Sequence, residues 1–165
     1  MDLELDAKER VYLDSTIPSY YFDEREEIRT FSEITRRWWN EMSERYDTFV
    51  SLAVIEEIQE GEYPRQGDVL EFSEKLPVLD LTPEIQVITD TYIRHMVMPD
   101  SLFGDATHLA YASFYGLDYL LTWNCNHLAN ANKKKHIQVI NKRLGLLTPE
   151  IVTPMVLFKE DIHDD

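Results

Sequence analysis

The chain alternates short strand-like runs with longer helical patterns, and this alternation restricts its fold more than any other feature. Val11 to Leu13, Thr48 to Ser51 and Asp118 to Thr122 are short β-prone runs, and the spacing predicts a further strand over His136 to Ile140. Helical patterns, and not hairpin-type turns, separate most of these runs. Such an order predicts βαβ units with parallel strands and helices on both faces of the sheet. We therefore expect an α/β fold with three layers, α/β/α, around a mainly parallel central sheet.

Two helical segments are the clearest in the sequence. Between Ile28 and Tyr46 apolar residues recur every three or four positions, which predicts a helix with one buried stripe: Ile28, Phe31, Ile34, Trp38, Met42 and Tyr46. Trp38 fits this stripe and is expected in the core, whereas Trp39 lies off its centre and is expected to be partly exposed. A second helix is predicted over Leu52 to Glu60, ending at Gly61.

Length and composition predict one globular domain over residues 1–165 with short acidic tails. Apolar residues make up 44% of the chain and charged residues 28%, which is ordinary for a folded protein. Cys125 has no second cysteine to pair with, and the first ten residues are mostly polar and acidic, unlike a secretory leader. The longest mostly apolar stretch, Leu109 to Trp123, is too short to span a membrane. These observations predict a cytoplasmic protein without a membrane segment.

The charge of the chain is strongly negative. There are 16 Lys and Arg residues against 31 Asp and Glu, a net charge of −15, and such a field repels nucleic acid at long range. Binding to any nucleic acid would therefore depend on local cations. The densest run is Lys133, Lys134 and Lys135, while Arg36 and Arg37 lie on the long helix. The three lysines are either a solvated surface or a set of phosphate contacts.

Several polar residues lie where a parallel sheet places its binding crevice, beyond the carboxyl ends of the strands. Asp14 follows the first strand, and Thr122 and Asn124 end a later one. Asp14 alone is equally consistent with a turn former. Asp105 and His108 form an i, i+3 pair on one helix face, which also suits a helix-dipole acid beside a partly buried histidine.

Four segments spread over nearly the whole chain share a pattern of polar residues. The first three are 11–16 (VYLDST), 51–61 (SLAVIEEIQEG) and 104–112 (GDATHLAYA), each containing one acid of interest, and the fourth is 116–124 (GLDYLLTWN). Together they resemble the PIN domain nucleases, in which the fourth segment is similar to a strand that ends in Thr-x-Asn. The resemblance is to small, VapC-like members, which are typically toxins of bacterial toxin–antitoxin pairs that cut RNA with Mg²⁺ or Mn²⁺.

The resemblance implies specific roles for individual residues. Asp14 matches the first acid of the family, Asp105 the third, and Glu57 the second, because Glu57 and not Glu56 stands four residues before Gly61. Asn124 and Thr122 would orient water or phosphate. The usual fourth acid is absent, and His127 stands at its position, either as an imidazole metal ligand or as a residue that packs near the loop.

These roles imply a metal-dependent ribonuclease, a hydrolase of RNA phosphodiester bonds. Clustered carboxylates repel one another unless a cation neutralises them, and hard oxygen ligands select Mg²⁺ or Mn²⁺. Asp14, Glu57, Asp105 and Asn124 would be catalytic, and Lys133 to Lys135, with Thr122, would bind RNA. The resemblance further implies an antitoxin protein as partner and a homodimer.

Two alternatives remain open from the sequence. The substitution of an acid by His127, together with the acidic charge, also suits a PIN-fold interaction module with weak or no catalysis. An aspartate-dependent phosphohydrolase is less consistent, because its nucleophile loop needs a second acid two positions after the first. Thr16 occupies that position.

Overall fold

One parallel sheet organises the protein, as seen in a computed structural model that describes residues 7–95, 103–124 and 131–158. Within these residues the sheet has five strands: β1 (Glu9–Leu13), β2 (Tyr46–Ser51), β3 (Val78–Leu79), β4 (Tyr119–Leu121) and β5 (Glu150–Val152). The strand order is β3-β2-β1-β4-β5, and every pairing is parallel. The predicted α/β class with a mainly parallel central sheet is confirmed.

Helices connect the strands and cover the sheet. They are α1 (Thr16–Phe22), α2 (Arg29–Met42), α3 (Leu52–Glu60), α4 (Gln66–Glu74), α5 (Pro83–Arg94), α6 (Phe103–Phe114) and α7 (Ala131–Leu144). One group packs α1 against α2 and α4, and another packs α5 against α6 and α7. This is the α/β/α layering that the sequence predicts.

The core lies against the central strand. Val11, Tyr12 and Leu13 of β1 are completely buried, as expected for a parallel strand covered on both faces. Trp38 is also completely buried, and its indole N–H donates a hydrogen bond of 2.7 Å to the carbonyl of Leu157. Core placement of Trp38 is thereby confirmed.

The strand predicted over His136 to Ile140 is wrong, because this segment lies inside α7. Within residues 133–144 of this helix, Ile137, Ile140 and Asn141 are buried, and their spacing of three and four is that of one helix face. The alternation of isoleucine and valine in this segment mimics a strand. The fifth strand is instead Glu150–Val152, which pairs with β4.

The predicted helix from Ile28 to Tyr46 is shorter and rotated. Helix α2 ends at Met42, a 3-10 turn spans Ser43–Arg45, and Tyr46 begins β2. The buried face consists of Ser32, Thr35, Trp38 and Met42, whereas Phe31 is 42% exposed. The rotation is possible because the Thr35 hydroxyl donates to the Phe31 carbonyl and also accepts the Trp123 indole N–H. Trp39 is half-buried, as predicted.

Helix α3 has the bounds that the sequence predicts. Ser51 caps it, since its hydroxyl oxygen accepts a hydrogen bond of 3.3 Å from the backbone N–H of Val54. Gly61 follows the last turn, and its N–H donates to the carbonyl of Glu57. Across the described residues, no helix has the length and apolar character to cross a membrane. The two predicted acidic tails fall at the chain ends, outside the described residues.

Candidate active site

The polar residues singled out in the sequence gather at the carboxyl edge of the sheet. Asp14 follows β1, the middle strand of the five, and its backbone N–H donates a hydrogen bond of 3.2 Å to the carbonyl of Leu121. This bond fixes Asp14 to the end of β4. Thr122 directly follows that strand and is completely buried. The crevice expected at this edge therefore starts at the middle of the sheet.

Asp14 is buried and surrounded by hydrogen-bond donors. The residue is only 1% exposed. One carboxylate oxygen accepts from the backbone N–H of Thr16 at 3.0 Å and from the hydroxyl of Thr16, and the other accepts from the hydroxyl of Thr122. Burial raises the pKa of Asp14 to about 6, although nearby His108 and the threonine donors favour the charged form.

Glu57 is held by two side chains, one from each direction. The Ser15 hydroxyl donates to Glu57 Oε2 at 2.8 Å, and His108 Nε2 lies 2.8 Å from Glu57 Oε1. The second contact is an ion pair whose angle falls short of that of a hydrogen bond. Burial would raise the pKa of Glu57, but the contacts with His108 and Ser15 outweigh it and lower the pKa below its ordinary value.

His108 is the centre of the site. It is 2% exposed, and the hydroxyl of Tyr12 lies 2.6 Å from its Nδ1 and 2.7 Å from the hydroxyl of Ser51. Burial disfavours the charged imidazole, but Glu57, followed by Asp14 and Asp105, raises its pKa above the ordinary value. A protonated His108 would donate from both ring nitrogens, which matches a carboxylate on one side and a hydroxyl on the other.

Asp105 joins the site from the first turn of α6 and is 9% exposed. The side-chain amide of Asn124 donates to Asp105 Oδ1 at 3.5 Å, the long limit of a hydrogen bond. Gly104 allows α6 to lie close to Glu57, because a Cβ at that position would come within 3.0 Å of Glu57 Oε1. The structure thus brings Asp14, Glu57, Asp105 and Asn124 to one edge.

The three predicted lysines lie on a neighbouring part of that edge. They form the first turn of α7, the helix that crosses from β4 to β5. A crossover helix between parallel strands begins at their carboxyl ends, so Lys133 to Lys135 lie on the same side of the sheet as the acids. Lys134 borders a small cavity of about 180 Å³ beside β5.

A larger groove opens beside Glu57, between α3, α5 and α6. Its volume is about 500 Å³, and its lining combines apolar and acidic side chains, among them Leu52, Leu81, Glu56, Glu60 and Asp90. Asp14 and Asp105 do not line it. The groove therefore shares Glu57 with the acid cluster but does not reach Asp14 or Asp105.

The carboxylates are engaged with protein donors and do not converge on a single point. Among residues 7–95, 103–124 and 131–158, no three acidic, histidine or cysteine side chains are arranged to hold one metal ion. Asp14 and Glu57 are instead bonded to hydroxyls and to His108. His127, the predicted alternative ligand, lies outside the described residues.

Sequence reasoning missed several residues that shape this site. Ser15 and Thr16 hold Glu57 and Asp14, and Tyr12 supports His108 from the strand before them. Each of the three lies within two positions of Asp14. Their proximity in sequence to an acid at a strand end is the signal that could have identified them. The i, i+3 spacing of Asp105 and His108 pointed to a shared face, but not to the contact of His108 with Glu57.

The fold is shared with two solved structures. A chain of VapBC2 from Rickettsia felis, crystallised with a DNA fragment from its promoter, has a TM-score of 0.54 at 10% identity and covers 87% of this chain and 98% of its own. The fold is VapC-like. VapC20 of Mycobacterium tuberculosis, a toxin that cleaves the sarcin-ricin loop, has a TM-score of 0.51 at 14% identity and covers 76% of this chain and 94% of its own.

The likeness to these VapC structures is one of fold. It confirms the three-layer architecture that the PIN resemblance implies, over most of the chain. No family model and no curated protein sequence matches the chain. The likeness therefore assigns no role to an individual residue.

Proposed function

We propose that this protein is an endoribonuclease that hydrolyses RNA phosphodiester bonds with Mg²⁺ or Mn²⁺. The observation that carries the proposal is the grouping of Asp14, Glu57 and Asp105 around buried His108, at the carboxyl edge of a VapC-like sheet. Three acids at one edge repel one another, and a divalent cation relieves that repulsion. A purely structural cluster would gain more from apolar side chains.

The donor set has the chemistry that Mg²⁺ and Mn²⁺ prefer. All three acids offer carboxylate oxygens, and Gly104 keeps free the space next to Glu57 Oε1 that a methyl group would occupy. Mg²⁺ commonly takes one or two carboxylates and retains several waters, so three converging side chains are not required. In our proposal Asp14 and Asp105 are the direct ligands, and Glu57 binds directly or through water.

An ion bound there would activate water and neutralise charge on the phosphodiester. The other side chains would orient the reacting groups. Ser15 and His108 hold the Glu57 carboxylate in place, and the Thr122 hydroxyl holds that of Asp14. Asn124, whose amide reaches Asp105, would orient water or phosphate beside it. Each of these groups is fixed before substrate arrives, which favours catalysis.

The test is metal-dependent cleavage by isosteric variants. Asp14→Asn and Asp105→Asn keep side-chain shape and remove the negative charge, so we expect both to lose RNA cleavage in Mg²⁺ or Mn²⁺ while circular dichroism shows an intact fold. Glu57→Gln should also lose activity. Its matched control is Glu56→Gln, the exposed neighbour on α3, which should cleave normally. Undiminished cleavage by Asp14→Asn would contradict the proposal.

A protein partner also enters the proposal. The groove beside Glu57 combines apolar Leu52 and Leu81 with acidic Glu56, Glu60 and Asp90, so it suits a basic, amphipathic segment of an antitoxin. Occupation of the groove would block RNA from the acid cluster. We propose that the protein acts in the cytoplasm, as its single cysteine predicts, and forms a homodimer, as the resemblance implies. Sedimentation of the purified chain measures whether it is a dimer.

A second candidate function, an interaction module with weak or no catalysis, is supported by the hydrogen bonds and ion pair that the carboxylates already make. Asp14 and Glu57 already have hydrogen-bond and ion-pair partners without a metal, as an interaction module of the same fold would require. Calorimetry separates the two functions. An endoribonuclease of this kind binds Mn²⁺ at or below millimolar concentration, and the binding disappears in Asp14→Asn. Absence of Mn²⁺ binding in the original chain favours the interaction module.

A further inference from the structure

Three aromatic side chains meet beside the acid cluster. Phe31 of α2 packs edge-on against Trp123, with ring centroids 5.0 Å apart and planes at 65°. Tyr20 of α1 stacks on the same indole at 6.2 Å and 18°. We call Phe31, Trp123 and Tyr20 the aromatic surface. Its members come from three different elements, so the tertiary fold and not local sequence assembles it.

The aromatic surface is tied directly to the residues around Asp14. Trp123 lies between Thr122, which bonds to Asp14, and Asn124, which bonds to Asp105. Its backbone N–H donates at 3.0 Å to the Thr16 hydroxyl oxygen, and the same hydroxyl donates to Asp14. One threonine oxygen therefore joins the backbone of the aromatic surface to the acid.

The indole ring of Trp123 is fixed before any ligand binds. Its N–H donates at 2.8 Å to the Thr35 hydroxyl, and it packs on one side against Tyr20. A flat ring held by packing and by a hydrogen bond loses little freedom when a second flat ring stacks on it. This pre-organisation is what a binding surface requires.

Exposure is the feature that the fold does not explain. Helix α2 buries Ser32 and Thr35 and leaves Phe31 42% exposed, while Trp123 and Tyr20 are half-buried. A helix that follows the apolar periodicity of its sequence would bury Phe31 instead. The protein thus presents an aromatic ring to solvent beside its acid cluster.

Nucleobases are the ligands that match this surface. Stacking of a base on an aromatic side chain depends on π-faces and not on net charge, so the charge of −15 does not oppose it. A phosphate or a sugar alone offers no such face. A base in a duplex is already stacked, whereas a base in a loop or single strand is free to stack on protein.

We propose that Phe31 and Trp123, supported by Tyr20, stack with one unpaired nucleobase of the RNA next to the phosphodiester at the acid cluster. The inference rests on the proposed function for the position of that phosphodiester, but the stacking itself does not require cleavage. It makes the substrate an unpaired stretch of RNA. Phe31 and Trp123 become substrate-binding residues.

Binding without cleavage tests the stacking. A short unstructured oligoribonucleotide carrying one 2-aminopurine, a fluorescent base that dims on stacking, is titrated with the chain in EDTA. We expect quenching by the original chain and roughly tenfold weaker affinity for Phe31→Ala. Phe31→Trp should restore affinity. The matched control, Val87→Ala on α5, removes another exposed apolar side chain and should change nothing.

A second oligonucleotide separates base from backbone. The same sugar-phosphate chain with abasic sites should bind equally to the original chain and to Phe31→Ala. Equal losses for both oligonucleotides, absence of quenching, or full affinity of Phe31→Ala overturn the proposal. Weakened binding of a protein partner by Phe31→Ala, with RNA binding unchanged, also overturns it and assigns the aromatic surface to that partner.

Cleavage assays distinguish failure of stacking from failure of the proposed function. If the chain cleaves RNA in Mg²⁺, Phe31→Ala should raise KM about tenfold and leave kcat nearly unchanged, because a stacked base contributes equally to substrate and transition state. Cleavage with unchanged KM in Phe31→Ala contradicts the stacking and supports the ribonuclease. Phe31-dependent quenching without any cleavage supports the stacking and contradicts the ribonuclease.

Discussion

Replacing Tyr12 by phenylalanine should destabilise the protein strongly, although it removes one atom. The Tyr12 hydroxyl lies 2.6 Å from His108 Nδ1 and 2.7 Å from Ser51 Oγ, and the residue is completely buried. Phenylalanine keeps the packing of the ring, including its stacking on Tyr111 at 6.2 Å. The variant therefore isolates the two hydrogen bonds from the apolar contacts.

The magnitude follows from the partners left behind. Each buried polar group that loses its partner costs about 1–3 kcal/mol in unfolding free energy. His108 Nδ1 would lose the partner described for it, whereas Ser51 still accepts from the N–H of Val54 and should lie at the low end. We expect Tyr12→Phe to lower the free energy of unfolding by about 2–4 kcal/mol, a large share of the ~5–15 kcal/mol typical of a domain.

Urea denaturation followed by circular dichroism, in EDTA at neutral pH, measures this change. The control is Tyr115→Phe, whose hydroxyl donates at 2.7 Å to the carbonyl of Asp80 near the surface, where water can replace it. We expect about 1 kcal/mol or less for the control. If Tyr12→Phe costs no more than Tyr115→Phe, the buried network does not support His108, and the reasoning is refuted.

Three further predictions concern other contacts. Asp23→Asn should lower the free energy of unfolding at pH 7, because Arg25 holds the pKa of the buried Asp23 below its ordinary value. The stabilisation by this ion pair is complete above about pH 4 and is lost as pH falls through the lowered pKa. The urea midpoints of variant and parent should therefore converge at low pH. Gly104→Ala should reduce RNA cleavage while changing the unfolding free energy by only about 1 kcal/mol. Alanine favours the helix, but its Cβ would lie 3.0 Å from Glu57 Oε1 and shift that carboxylate. Normal cleavage would refute this. Replacing 133–135 by alanine should reduce the slope of log RNA affinity against log salt by about 2. Replacing 142–143 at the other end of α7 should not, and an unchanged slope in the first variant removes the phosphate role.

The fold was predictable where the sequence combined apolar periodicity with residues that mark the ends of an element. Helix α3 has a capping Ser51 before it and Gly61 after it, and its bounds were predicted correctly. The segment 136–140 lacks such boundaries, and its β-branched residues favour a strand. Only the buried spacing of Ile137 and Ile140 in the folded chain decides for the helix.

The site was predictable in its acids but not in their partners. A parallel sheet brings the carboxyl ends of its strands to one edge, so Asp14 and Thr122 could be predicted to lie at the same edge. That they are neighbours follows from the pairing of β1 with β4, which the sequence does not predict. The contact between His108 and Glu57 joins α6 to α3, elements separated by two helices in sequence. No local pattern encodes that approach, which depends on the missing side chain of Gly104.

The acidity of the chain and its proposed RNA binding are compatible because the charges are unevenly distributed. Helix α7 carries five of the 16 Lys and Arg residues and no acid, so the cations concentrate on the helix between β4 and β5. Lys133 to Lys135 begin this helix at the edge of the acids, and Lys142 and Arg143 end it at the opposite edge. Cation contacts weaken with salt, whereas stacking on Phe31 does not depend on charge. RNA affinity should therefore separate into two parts. The three lysines supply a salt-dependent part, and the aromatic surface supplies a salt-independent part. An acidic protein needs both, because its overall field opposes the approach of RNA.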